Sequence, residues 1–135
     1  MALLNTKFDE DTMFEQLKGA LLPGESITAA VYATFQDMSF FGSRASQAGF
    51  VALTDQDRLI GMRHSILGST PFSGYVGVLR KLKVKKGLLG ARTIDYDDGN
   101  VHLRITAVPK VVGAKFPHQQ EYFQTLISAL EPRQI

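Results

Sequence analysis

The amino-acid sequence predicts an α+β fold that is mainly β, with about seven antiparallel strands between a short N-terminal helix and a C-terminal helix. Apolar and polar residues alternate with the period of a half-buried strand along most of the 135 residues. Turn-forming glycine, proline and aspartate residues separate these alternating segments. Apolar residues at helical spacing occur near the two ends and predict the two helices. Because short turns connect the successive strands between them, these strands are expected to form an antiparallel sheet.

Residues 75–106 carry the clearest strand pattern. Leu82 and Val84 alternate with three lysines, which predicts a strand with one buried face and one cationic face. The segment KGLLG at residues 86–90 indicates a hairpin turn, and the segment DDGN at residues 97–100 indicates a second one. Three consecutive antiparallel strands are therefore expected at residues 81–85, 91–96 and 101–106.

Four further strands are predicted upstream. They cover residues 26–35, 47–54, 58–64 and 70–75. The segment TDQD at residues 54–57 indicates a tight hairpin between the second and third of them. Pro71 indicates that the last one lies at a sheet edge, because proline cannot donate a hydrogen bond to a neighbouring strand.

The two helices are predicted from apolar residues that recur every three or four positions. The first spans Asp9 to Leu21, and its Thr12 and Glu15 resemble a capping box. The second begins near Pro117, and its apolar face consists of Tyr122, Phe123, Leu126, Ile127 and Leu130. Residues 1–21 are thus interpreted as an N-terminal helical extension, residues 22–131 as the main domain and residues 132–135 as a tail.

The formal net charge of +2 conceals an uneven distribution of charged residues. Residues 1–57 carry a net charge of −5, residues 58–115 carry +8, and residues 116–135 carry −1. A chain with this asymmetry can bind anions with its middle segment or pair with its own copies, although a solvated lysine face gives the same pattern.

The chain contains no cysteine, which excludes disulfides and thiolate metal ligands and fits a reducing compartment. The N-terminal residues lack a basic segment followed by an apolar one, and no apolar run is long enough to span a bilayer. Neither a signal peptide nor a transmembrane segment is predicted. A cytoplasmic location is expected, with attachment to the periphery of a membrane as an alternative.

No sequence motif of an enzyme or of a metal site is found. The three histidines fall on different predicted elements without metal-ligand spacing and are interpreted as surface side chains: His64, His102 and His118. The three clustered carboxylates are interpreted as turn formers: Asp95, Asp97 and Asp98. No catalytic residue, metal ion or cofactor is therefore predicted. Nucleic-acid binding is not favoured, because the cationic strand lacks interleaved aromatic residues.

Two segments carry a resemblance to a known family, namely FVALTDQDRLI at residues 50–60 and VKKGLLG at residues 84–90. Together with the leader LPGE at residues 22–25 and the closing helix, they resemble the bacterial pleckstrin-homology-like (PH-like) domain family. The resemblance implies a PH-like barrel, in which a strongly bent, nearly closed sheet of seven strands is filled at one end by the C-terminal helix. It also implies a binding or assembly module that forms homo-oligomers, rather than an enzyme.

Two functions remain open from the sequence. The first is a non-enzymatic module that forms homo-oligomers, or binds a protein partner, through sheet edges, complementary charges and an apolar loop containing Phe40 and Phe41. Those two phenylalanines could instead fold back and fill one end of the sheet. The second is an anion-binding module that recognises phospholipid headgroups or phosphorylated ligands. Its predicted cationic surface consists of Lys81, Lys83, Lys85, Lys86 and Arg92, beside an apolar tip at Leu88 and Leu89.

Overall fold

A computed structural model describes residues 8–39, 45–111 and 115–135 of the chain. Helix α1 (Glu10–Lys18) precedes seven strands, and helix α2 (Gln119–Leu130) follows them. The strands are β1 (Ile27–Asp37), β2 (Gln47–Thr54), β3 (Arg58–Ser65), β4 (Gly68–Tyr75), β5 (Lys81–Lys86), β6 (Arg92–Asp97) and β7 (His102–Ala107). Single turns of 3-10 helix lie at Val76–Val78 and Glu131–Arg133, and residues Leu88–Gly90 form a tight turn in which Leu89 has a left-handed backbone.

The strands form one antiparallel sheet in the order β4-β3-β2-β1-β7-β6-β5. Strand β1 pairs with β2 along most of its length and with β7 over its last four residues, so it joins the two halves of the sheet. Strands β4 and β5 are the two edges. The predicted fold class is confirmed: a mainly β, α+β domain of seven antiparallel strands with a helix at each end.

The sheet bends around a single inner core. Phe72 of the edge strand β4 lies against Tyr96 of β6, with ring centroids 5.2 Å apart, although four strands (β3, β2, β1 and β7) lie between β4 and β6 in the order of the sheet. All seven strands contribute buried residues to this core, and helix α2 adds Phe123, Leu126, Ile127 and Leu130. A sheet so strongly bent and covered by its closing helix is consistent with the PH-like barrel that the family resemblance implies.

A second, smaller core lies on the outer face of the sheet. Met13 and Leu17 of α1 are almost completely buried against a set of residues on β1, β2, β3 and the segment before α2: Ala30, Phe50, Ala52, Ile60 and Phe116. Strands β1 and β2 are therefore buried on both faces at their centres, whereas the sequence alternation predicts only one buried face. Helix α1 thus packs onto the sheet.

The bounds of α1 differ from those predicted. Asp9 is the N-cap, and its Oδ1 accepts a hydrogen bond of 2.8 Å from the backbone N–H of Thr12. Asp9 rather than Thr12 therefore caps the helix, which begins at Glu10. The helix ends at Lys18, where Gly19 forms the C-cap, so Leu21 lies beyond its end.

The segments that carry the family resemblance meet through a buried ion pair. Glu25, from the segment LPGE, accepts a hydrogen bond of 2.6 Å from Arg58 and one of 2.5 Å from the hydroxyl of Thr54. Glu25 also accepts a hydrogen bond of 2.9 Å from the backbone N–H of Leu22. Burial opposes ionisation of Glu25, but these hydrogen bonds and the charge of Arg58 outweigh it and lower the pKa of the carboxyl. The motif residues therefore have a structural role, which is to fix the entry into β1 against the β2–β3 hairpin.

Candidate binding surface on the β5–β6 hairpin

The predicted lysine strip lies on the outer face of β5. In the antiparallel register Lys83 is opposite Asp95 of β6, and Asp95 is opposite Arg104 of β7. Leu82 is completely buried in the inner core and Val84 packs against that core. The alternation in the sequence therefore places Lys81, Lys83 and Lys85 on one face, as predicted.

Asp95 lies at the centre of this cationic face. Its carboxylate is 3.4 Å from the Nζ of Lys81, 3.7 Å from the Nζ of Lys85 and 3.3 Å from the Nε2 of His102. The residue is only 5% exposed. The interpretation of Asp95 as a turn former is wrong, because it occupies the middle of β6, where the long side chains of the neighbouring strands cover it.

Asp95 is ionised at neutral pH. Burial raises its pKa, but the hydrogen bond from His102 and the positive charge of Lys81 outweigh burial, and the pKa lies below the ordinary value of 3.8. The single negative charge of Asp95 is shared by Lys81 and Lys85. These two lysines are consequently less available to an external anion than the sequence suggests.

The other two carboxylates of the predicted cluster do form a turn. Asp98 accepts backbone hydrogen bonds of 2.8 Å from Asn100 and from Val101, and Asp97 accepts one of 2.9 Å from Gly99. The β6–β7 connection is thus closed by its own side chains, as interpreted from the sequence.

Four cations on this face or at the end of the β5–β6 hairpin have no carboxylate within ion-pairing distance in the described parts of the chain: Lys83, Lys86, Arg92 and Arg104. Arg104 was not among the predicted site residues. Arg104 lies opposite Asp95 in the β6–β7 register. The alternation of apolar and polar residues along β7 places Arg104 on the outer face, and this pattern in the sequence could have identified it.

Arg92 stabilises the hairpin through hydrogen bonds to backbone carbonyl groups. Its Nη1 donates hydrogen bonds of 3.2 Å to the carbonyl oxygens of Gly90 and Ala91. Of the five predicted cationic residues, Lys83, Lys86 and Arg92 therefore have no ion-pair partner among the described residues. The side chain of Lys85 is mostly exposed, and its Nζ lies 3.7 Å from the carboxylate of Asp95, near the limit for an ion pair.

The tip of the β5–β6 hairpin presents two exposed leucines. Leu88 is 88% exposed and Leu89 is 98% exposed, beside Lys86 in the chain. Backbone hydrogen bonds of 2.9 Å from Gly87 to Ala91 and 3.0 Å from Ala91 to Leu88 close the tip. Leu89 has a φ of 57°, a left-handed conformation that costs a non-glycine residue about 1 kcal/mol or more. The turn geometry therefore holds both leucines in solvent rather than against the core.

The two sheet edges differ in how they are covered. The backbone N–H of Ile135 donates to the carbonyl of Leu82 at 2.9 Å, and Gln134 Oε1 accepts from the N–H of Val84 at 2.9 Å. The residues predicted as a tail thus cover part of the β5 edge. Within the described residues no strand pairs with the outer edge of β4. The predicted contact loop, with Phe40 and Phe41, lies outside the described residues.

The histidines are not all surface residues. His64 is buried on β3, which corrects its interpretation as a surface side chain. His102 contacts Asp95, and His118 contacts Glu10 at 2.6 Å. No group of three or more potential metal ligands is present among the described residues.

The chain matches no protein-family model, and the search of curated proteins found no significant match. Within residues 8–39, 45–111 and 115–135, no helix is long and apolar enough to cross a membrane.

Proposed function

We propose that this chain is a non-enzymatic, PH-like binding module that attaches to the surface of an anionic phospholipid membrane through the tip of its β5–β6 hairpin. The observation that carries this proposal is the exposed pair Leu88 and Leu89. A closed turn holds both leucines in solvent next to Lys86, which has no ion-pair partner among the described residues. Exposed apolar residues beside cations are the combination that an interface between headgroups and acyl chains accommodates. The proposed location is the cytoplasm, at the periphery of a membrane.

The expected affinity of a single hairpin is low. Burial of two leucines contributes at most about 3–6 kcal/mol, and insertion to the depth of the headgroups realises only part of that. Each lysine near an anionic surface adds roughly 1 kcal/mol. A total of about 6 kcal/mol corresponds to a dissociation constant of roughly 40 μM. A monomer would therefore bind reversibly.

Assembly into homo-oligomers is a second proposal, favoured by the open edge of β4. The backbone groups along this edge have no partner strand in the described structure, and Ile66, Leu67 and Val78 near its ends are exposed. An oligomer that presents several hairpin tips in one plane would bind a membrane far more tightly than one tip, through effective concentration. The two proposals are compatible, and each is testable without the other.

Vesicle co-sedimentation tests the membrane proposal. We expect the protein to pellet with vesicles of phosphatidylcholine containing phosphatidylserine, and to pellet much less with phosphatidylcholine alone. Raising the salt from about 0.1 M to about 0.5 M should release most of the bound protein, because the cationic contribution is screened. Equal retention on both vesicle types would contradict the proposed role of the lysines, and no retention would contradict membrane attachment.

Light scattering tests assembly. A mass of two or more chains at tens of micromolar protein supports the second proposal, and the mass of a single chain contradicts it.

A further inference from the structure

The outer edge of β5 is covered by residues that follow α2 instead of by a strand. Among the described strands, β5 pairs with β6 alone. On its other side the carbonyl oxygen of Leu82 accepts a hydrogen bond of 2.9 Å from the backbone N–H of Ile135. The N–H of Val84 donates one of 2.9 Å to Oε1 of Gln134. One backbone group and one side chain thus take the place that a neighbouring strand would occupy.

Residues 133–135, which we call the edge cover, are themselves open to solvent. Gln134 is exposed, Ile135 is 56% exposed, and the ion pair that anchors Arg133 to Asp57 is nearly half exposed. Each exposed hydrogen bond of this kind contributes roughly two- to tenfold to an equilibrium constant. Displacement of the edge cover is therefore inexpensive, and it opens backbone groups of β5 directly to solvent.

The side chains along this edge define the kind of segment that can replace the edge cover. Lys81, Lys83 and Lys85 lie on the outer face, and Lys83 has no carboxylate within ion-pairing distance among the described residues. On the inner face Val84 is only partly buried against the core. The side chains of an added strand alternate between the same two faces. Acidic residues at every second position would lie beside the lysines, and apolar residues between them would cover Val84.

Two copies of this chain supply a poorer occupant. Pairing of two β5 edges would bring the lysines of both copies together, and like charges on neighbouring strands destabilise the pair. Strand β4 of a second copy, with the sequence GSTPFSGY, carries no charged side chain and would leave Lys83 without a counter-charge. Charge complementarity therefore favours an acidic segment of a different protein.

We propose that the β5 edge is a docking site for an extended segment of a partner protein in which acidic and apolar residues alternate. The segment forms backbone hydrogen bonds with Leu82 and Val84, and one of its carboxylates pairs with Lys83. The edge cover competes with the segment for the same backbone groups, so it lowers the affinity of the site. This docking site does not depend on membrane attachment through the hairpin tip or on assembly through β4.

A blocked hexapeptide of alternating glutamate and valine tests the proposal, with fluorescence anisotropy of the labelled peptide as the measurement. A peptide with lysine in place of glutamate keeps the strand pattern and reverses the charge. A peptide with proline in place of valine keeps the charge but cannot pair as a strand. We expect the glutamate–valine peptide to bind at least tenfold more tightly than either control. In NMR spectra of the full chain, the largest shifts should occur at the amides of Leu82 and Val84.

Substitutions in the edge cover and in β5 separate competition from simple attraction of charge. Ile135→Pro removes the N–H that bonds to Leu82, and Gln134 already has the extended backbone, with φ of −61° and ψ of 142°, that precedes proline. This variant should bind the glutamate–valine peptide about fivefold more tightly, the effect of one net hydrogen bond. Ile135→Ala keeps the N–H and is the matched control. Lys83→Glu should weaken binding severalfold, whereas Lys18→Glu, the same charge change at an exposed position on α1, should weaken it much less.

Four results would overturn the proposal. The first is no saturable binding of the glutamate–valine peptide to the unmodified protein or to Ile135→Pro. The second is equal binding of the proline-containing peptide, which would show that charge alone attracts both. The third is equal tightening by Ile135→Pro and Ile135→Ala, which would show that the backbone bond of the edge cover does not compete. The fourth is a shift of the Leu82 and Val84 amides with protein concentration alone, which would show that a second copy occupies the edge.

Discussion

Asp57 and Arg133 form a bidentate ion pair, with distances of 2.7 Å and 2.9 Å between their paired oxygens and nitrogens. The pair connects the β2–β3 hairpin to the 3-10 turn that follows α2. The backbone carbonyl of Asp57 also accepts a hydrogen bond of 2.8 Å from Val76, at the turn after β4. Asp57 therefore holds together three parts of the chain that are distant in sequence, on the side where the residues after α2 reach the β5 edge.

Arg133→Ala should lower the free energy of unfolding by about 0.5–1 kcal/mol, because both side chains are nearly half exposed and solvent screens the pair. The hydrogen bond and charge of Arg133 lower the pKa of Asp57 against the effect of burial. This contribution is fully present above the ordinary carboxyl pKa of 3.8 and is lost as the pH falls through the lower folded-state pKa.

Urea denaturation of the unmodified protein and of Arg133→Ala, at pH 7 and at pH 2.5, measures the difference in the free energy of unfolding at each pH. Arg133→Lys is the matched control, since lysine keeps the charge but cannot form the bidentate contact, and should have an intermediate effect. A destabilisation by Arg133→Ala that is as large at pH 2.5 as at pH 7 would show that the ion pair is not its cause.

Glu25→Gln should destabilise the fold by about 3 kcal/mol, because it leaves the charge of Arg58 buried without a counter-charge. The double variant Glu25→Gln with Arg58→Met removes both charges and should recover part of the lost stability. Thermal or urea unfolding of the unmodified protein, the two single variants and the double variant measures the effect. A double variant less stable than the sum of the two single changes would contradict this explanation.

His118 should titrate above the ordinary histidine pKa of 6.5. Its Nδ1 lies 2.6 Å from Glu10, and this hydrogen bond and the charge of Glu10 raise the pKa of His118. The contact between α1 and the start of α2 therefore stabilises the fold below pH 6.5, and this contribution is lost as the pH rises through the folded-state pKa.

An NMR titration of the histidine rings checks whether the pKa of His118 is raised. The Glu10→Gln variant should return the pKa of His118 toward 6.5 and leave His64, which burial shifts in the opposite direction, unchanged. An unaltered pKa of His118 in that variant would rule out Glu10 as the cause.

Asp95→Asn should strengthen retention on vesicles that contain phosphatidylserine, because it frees Lys81 and Lys85 from their shared carboxylate. We expect a severalfold lower dissociation constant and a steeper loss of binding with salt. Asp11→Asn makes the same charge change on the exposed side of α1 and is the matched control. Equal effects of the two substitutions would indicate a response to net charge rather than to this face.

The sequence was sufficient for features that depend on local periodicity. The alternation around Leu82 and Val84 predicts both the strand and the common face of its lysines, and the apolar spacing around Phe123 and Leu126 predicts the buried side of α2. Turn residues predict the β2–β3, β5–β6 and β6–β7 hairpins at their correct positions.

Features that depend on pairing between distant residues could not be read from the sequence. Asp95 resembles a turn residue because it precedes Asp97 and Asp98 closely, and only the register of β5, β6 and β7 places it beneath lysines. His64 is buried because Phe8 packs against its ring from a segment that lies 56 positions earlier in the chain. Leu89 is exposed because of its left-handed backbone, which residue composition alone does not reveal.

The most direct test of membrane attachment uses the absence of cysteine in the chain, since a single substitution then creates a unique labelling site. Leu89→Cys and the control Val78→Cys, both at exposed positions, can each carry an environment-sensitive fluorophore. On addition of vesicles containing phosphatidylserine, the fluorophore at position 89 should shift to the blue and gain intensity, while the one at position 78 should not change. An unchanged spectrum at position 89, or equal changes at both positions, would contradict attachment through the hairpin tip.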